Sequence, residues 1–134
     1  MDFSSLVLME KDKETGYVKA EKGSFEVDEK ALYIKKLYLL DETVYVYFDT
    51  NKDVEEWEYS AIYDLFDEKS FLDAGFELEE MTEEYNPTYI AKFKYEDDYE
   101  LTKEKLYQCI DLIYNAFNKV FYDIKGKEEE YKNL

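Results

Sequence analysis

Histidine and arginine are absent from these 134 residues, and cysteine and proline occur once each. Histidine is the commonest acid/base group and metal ligand at neutral pH, so triads built on it are excluded and zinc sites nearly so. The single Cys109 has no partner for an internal disulfide. A reducing compartment fits that, although a secreted protein without disulfides would look the same. Gly16, Gly23, Gly75 and Gly126 are the only glycines and lie far apart, so no glycine-rich phosphate cradle exists. No run approaches the ~20 apolar residues of a membrane span. The apolar residues 6–9 are too few for a signal sequence and have no basic segment before them. The expectation is a soluble, cytoplasmic protein that does not engage membranes.

What the chain has in abundance is negative charge. Asp and Glu number 34 against 17 lysines, for a formal net charge of −17. Such a surface repels phosphates and attracts basic proteins, which argues against direct nucleic-acid binding. Hydrophobic residues still make up 46% of the chain and aromatic residues 19%, enough for one folded domain over residues 1–126 with a polar tail at 127–134. The missing arginines, beside abundant lysine and tyrosine, are what codon bias in an AT-rich genome would also produce.

The strongest periodicity lies in residues 102–125. Leu106, Ile110, Ile113, Phe117, Val120 and Ile124 recur at steps of four and three, with Tyr107, Tyr114 and Phe121 widening the stripe. That spacing predicts a long amphipathic helix, capped by Thr102 and ended at Gly126. Cys109 sits beside the stripe as a small packing residue, with no histidine to activate it.

Residues 6–9, 17–20 and 24–27 read as strands of a hairpin, with Gly23 marking a bulge or bend. Residues 33–40 and 43–49 form the clearest strand pair. A loop at Asp41-Glu42 places Leu39 opposite Val44 and Leu37 opposite Val46 on one face, and Tyr38 with Tyr45 and Lys36 with Tyr47 on the other. Asp-Glu is not a favoured two-residue turn, so a one-residue slip would exchange the faces. Residues 53–66 fit a helix with an Asp53/Glu56 capping box better than they fit a strand. A short helical turn over residues 67–74 then ends at Gly75. Residues 76–81 and 88–95 pair about Tyr85-Asn86-Pro87, setting Glu77 against Lys94, Glu79 against Lys92, Phe76 against Tyr95 and Leu78 against Phe93. The fold class is therefore α+β: an antiparallel, meander-like sheet covered on one face by the long C-terminal helix, with a shorter helix mid-chain.

Three constellations bear on function. Asp49, Asn51 and Asp53 imitate the start of a calcium loop, but Val54 stands where the turn needs glycine and Ser60 where a bidentate Glu belongs. A solvated loop is the preferred reading, with weak calcium binding the alternative. Two acidic clusters, Glu79, Glu80, Glu83, Glu84 with Tyr85, and Glu96, Asp97, Asp98, Glu100 with Tyr99, flank one hairpin and would merge into a patch for a basic partner. Carboxylate pairs can do acid/base work, but among 34 acids a pair carries little information. The reading is a non-enzymatic acidic protein-binding domain without cofactors. Its sharpest form is an inhibitor or immunity-type protein that mimics nucleic acid and masks a basic nucleic-acid-binding surface. The alternative is a regulatory or housekeeping domain whose charge serves solubility.

Overall fold

The computed structural model describes residues 4–132. Strands β1 (Ser4–Lys11), β2 (Val18–Val27), β3 (Ile34–Leu40), β4 (Thr43–Asp49), β5 (Glu77–Glu80) and β6 (Thr88–Lys94) form one sheet in the order β2-β1-β3-β4-β6-β5. Helices α1 (Glu56–Leu65) and α2 (Glu68–Asp73) lie between β4 and β5. The long α3 (Tyr99–Asp123) and the short α4 (Glu128–Lys132) follow the last strand. The class is α+β with a long C-terminal helix and a helix mid-chain. Among the described residues no helix is long and apolar enough to cross a membrane.

The sheet is mixed, which corrects the meander. β3 returns beside β1 and runs parallel to it, through Met9↔Tyr38 and Glu10↔Leu39. The cause lies in the 3₁₀ turn Glu29–Tyr33 that follows β2. Its Tyr33 is buried against α3, with its ring 4.6 Å from that of Phe117. Burying that ring carries the chain across the helix face and back on the far side of β1, where hairpin closure is no longer available.

The β3–β4 register is the one the alternation implies: Leu37↔Val46, Tyr38↔Tyr45 and Leu39↔Val44. Asp41 and Glu42 both take left-handed conformations, at φ 48° and 70°. A two-residue hairpin needs that geometry, although neither residue favours it. The burial of alternate Val44, Val46 and Phe48 fixes the register over the turn's reluctance. β2 is one continuous strand rather than two, with register shifts beside Leu8/Met9 and Glu10/Lys11. Gly23 lies at the first of these, with a backbone φ of +157° and the Phe25 ring only 3.0 Å from where a Cβ would stand.

β5 and β6 pair as Glu77↔Lys92, Leu78↔Ala91 and Glu79↔Ile90, two residues from the expected register. A slip of two keeps every side chain on its face. Phe76 therefore meets Phe93 edge-on at 5.7 Å instead of Tyr95, and Glu79 reaches Lys92 diagonally at 3.0 Å.

The core lies between the sheet and α3. Leu106, Ile110, Ile113, Phe117, Val120 and Ile124 are all buried, joined by Cys109 and Ala116. At roughly 1.5–3 kcal/mol for each large apolar side chain buried, this stripe dominates the helix's attachment. The helix begins three residues before Thr102, because Asp98 supplies the cap by accepting from Leu101 N–H at 3.2 Å. Thr102 is buried one turn in, its hydroxyl donating to the Glu96 carbonyl at 3.2 Å. The Asp53/Glu56 box is likewise displaced by two residues. Glu55 is the N-cap of α1, and the Glu58 carboxylate accepts its N–H at 2.9 Å.

Candidate functional site

The first acidic cluster stands on a braced loop. The β5–β6 ladder closes where Met81 N–H donates to the Thr88 carbonyl at 2.8 Å, leaving residues 82–87 as the connection. Two tyrosines one turn apart on α1 reach across to it. The Tyr59 hydroxyl donates towards the carbonyls of Thr82 (2.8 Å) and Glu84 (3.1 Å). The Tyr63 hydroxyl donates to the Met81 carbonyl at 3.0 Å and accepts from Thr88 N–H at 2.9 Å. Asn86 completes the brace, accepting from Val54 N–H and donating to Asp53 at 3.1 Å. These staples, invisible to strand alternation, set the loop length and hence the two-residue shift in register.

Glu80, Glu83, Glu84 and Tyr85 are exposed on this platform, while Glu79 is drawn to Lys92. The other flank of α1 carries α4, tied by the Tyr131 hydroxyl donating to Asp64 at 2.6 Å. That contact places Tyr131 and Lys132 of α4 beside Glu55, the N-cap of α1, and Glu56 in its first turn. Crowding is felt at the margin of the first cluster, where burial and neighbouring Glu80 hold the Glu68 carboxyl above the usual carboxylate range.

The second cluster is spent on the fold. Asp98 caps α3, Asp97 accepts from the Tyr95 hydroxyl at 3.4 Å, and Glu100 pairs with Lys103 at 3.8 Å. The Glu96 backbone anchors Thr102. Tyr99 stacks on Phe25 with centroids 4.9 Å apart and donates to the Ser24 carbonyl at 2.9 Å. The clusters do not merge. β6 separates them, and its seven residues span roughly 20 Å.

Asp49, Asn51 and Asp53 do not converge. Asp49 accepts from Asn51 N–H at 2.8 Å and lies 3.8 Å from Lys35 Nζ, which also donates to the Asn51 side chain. Asp53 faces Asn86 instead. A lysine thus holds the place a cation would take, and among the described residues no three metal-ligating side chains cluster.

Two surfaces carry aromatic character. On the sheet face away from the helices, Tyr38 stacks on Tyr45 at 5.0 Å, and Lys11, Lys36 and Lys92 lie over Tyr38, Tyr47 and Tyr45. Between α3 and the end of β2 runs a groove of about 570 Å³, with Val27 and Ile110 in its floor. The sequence offered one unused signal for it: Tyr99, Lys103 and Tyr107 recur every four residues, on one side of α3. Cys109 is fully buried, which pushes its thiol up to about 12 and leaves no thiolate at neutral pH.

A family model spans residues 1–132 and carries the description of a family of unknown function, DUF6762. The chain belongs to that family. No curated protein and no solved structure matches it.

Proposed function

We propose that this member of DUF6762 is a non-enzymatic, acidic protein-binding domain whose docking surface is the band formed by loop 82–87, α1 and α4. In its sharpest form it is an inhibitor or immunity-type protein that covers the basic nucleic-acid site of its partner. The observation that carries the reading is the bracing of the acidic loop by Tyr59, Tyr63 and Asn86, with α4 tied on by Tyr131. A braced loop backbone is already ordered, so association costs only the ordering of the side chains it carries. A dense negative field also speeds encounter with a positive face and fits where phosphates, one charge per ~1.7 Å of duplex, would lie. The inert thiol and the absence of histidine support the non-enzymatic part.

The test is capture from native extract at low salt, eluted by a salt gradient with and without duplex DNA, beside the variant Glu56→Lys/Glu83→Lys/Glu84→Lys. A basic protein released by salt, displaced by DNA and ignored by the variant supports the reading. A partner held equally by the variant overturns it and moves attention to the Tyr38–Tyr45 face.

A further inference from the structure

The groove between α3 and the end of β2 has fixed walls and an apolar floor. The Tyr99 hydroxyl donates to the Ser24 carbonyl at 2.9 Å and the Tyr107 hydroxyl to the Glu26 carbonyl at 2.6 Å, so both rings bridge α3 and β2. Tyr99 stacks one face on Phe25 at 4.9 Å and still stays half-exposed. With both hydroxyl protons spent on backbone, the tyrosines offer the groove ring surface rather than donors. Buried Val27 and Ile110 lie beneath them. At about 570 Å³ the space is that of a small-molecule site, well beyond one amino-acid side chain.

Charge around that floor is unevenly satisfied. Lys103 pairs with Glu100 and Lys30 with Asp111, each at 3.8 Å. Glu26 and Asp28 share the β2 end of the groove, and among the described residues no lysine ammonium comes within 4 Å of either carboxylate. Asp28 spends one oxygen on the Lys30 N–H at 3.0 Å and keeps the other. Tyrosine rings here already attract ammonium groups of the chain itself, with Lys103 5.9 Å over Tyr107 and Lys30 5.8 Å over Tyr114. We propose that the groove binds a small organic cation, a primary ammonium on an apolar stem, with its charge held by Glu26 and Asp28 and its stem on Val27 and Ile110 beside the tyrosine rings. A bare metal ion would leave the apolar floor unused, and an anion would meet two uncompensated carboxylates. The net charge of −17 draws in cations of every kind, while the floor selects those that carry a stem. The acidic band of loop 82–87, α1 and α4 contributes no residue to this groove, so neither reading rests on the other.

The experiment is an NMR titration of the full chain in 0.15 M salt with hexylammonium, methylammonium and hexanol, which carry charge and stem, charge alone and stem alone. Hexylammonium is expected to shift the Val27 and Ile110 methyl resonances. It should bind at least about tenfold more tightly than either other probe, since a charged hydrogen bond and several buried methylenes are each worth that much. Glu26→Gln/Asp28→Asn should weaken hexylammonium by about tenfold or more, and Asn at this position still caps the turn that follows β2. Glu83→Gln/Glu84→Gln removes the same charge elsewhere and should change the affinity less than about twofold, because salt screens distant exposed charges. No shift at millimolar hexylammonium, hexanol binding as tightly, equal losses in the two double variants, or shifts that miss the groove methyls would each overturn the proposal. The probe comparison needs wild type alone and decides the matter even if the groove variant folds poorly. Partner capture by the acidic band is read separately and does not enter this result.

Discussion

The loop that enters β6 directs its carboxylates to solvent, whereas the loop that leaves it turns its own onto neighbouring backbone and side chains. Around Glu83 and Glu84 the fixed groups are backbone carbonyls, held by Tyr59 and Tyr63 from α1. Around Asp97 and Asp98 the fixed groups are the carboxylates themselves, which accept from Tyr95 and from the first turn of α3. An acid whose oxygens already serve as acceptors has little left for a partner. An acid carried on a braced backbone offers both of its oxygens. Local density of negative charge is thus a poor guide to a docking surface, and the direction in which the hydrogen bonds run is a better one.

Substitutions can break this contrast from either side. The largest effect is expected at Tyr63→Phe, which strips a partner from the Thr88 N–H in a part-buried setting and should lower unfolding free energy by about 1–3 kcal/mol in urea titrations. It should also loosen the acidic loop, seen as faster amide exchange over residues 81–88. Asp98→Ala removes the α3 cap and should cost about 1 kcal/mol, against less than about 0.5 kcal/mol for Glu83→Ala or Glu84→Ala. Comparable losses at all three positions would erase the distinction.

A smaller effect sharpens the crowding at the margin of the first cluster. Glu68 has a folded pKa raised above 4.5 by burial and by Glu80. The native state therefore holds its proton more tightly than the unfolded chain. That contribution to stability is fully present below pH 4.5 and is lost as pH rises through the folded value. Glu68→Gln should raise the melting temperature relative to wild type above that range and leave the difference near zero below it. The smallest change is expected at Tyr89→Phe. Tyr89 pairs with Glu80 across the ladder, and its hydroxyl is fully buried and has no hydrogen-bond partner among the described residues. Removing it should leave stability unchanged or raise it by up to about 1 kcal/mol.

Elements set by local periodicity were legible in the sequence. The α3 stripe and the β3–β4 register follow from repeats of four and three and of two, each enforced by burial. What depended on contacts between distant segments was not. The parallel return of β3 rests on Tyr33 reaching α3, and the β5–β6 register rests on hydroxyls from α1. Glu83 and Glu84 were recognisable as acidic candidates, but the loop that carries them is held by Tyr59 and Tyr63 of α1 and lies across β6 from Glu96 and Glu100. The Tyr131–Asp64 bond that assembles this band joins residues 67 positions apart. No window of sequence contains both.

The most direct test sets the two loops against each other in one binding assay. The partner recovered by capture is titrated with wild type, with Glu83→Lys/Glu84→Lys and with Glu96→Lys/Glu100→Lys at fixed ionic strength. The expected result is a loss of ten-fold or more for the first variant, about 1.4 kcal/mol, and a change of less than three-fold for the second. Equal losses for both, or a larger loss for the second, would contradict it.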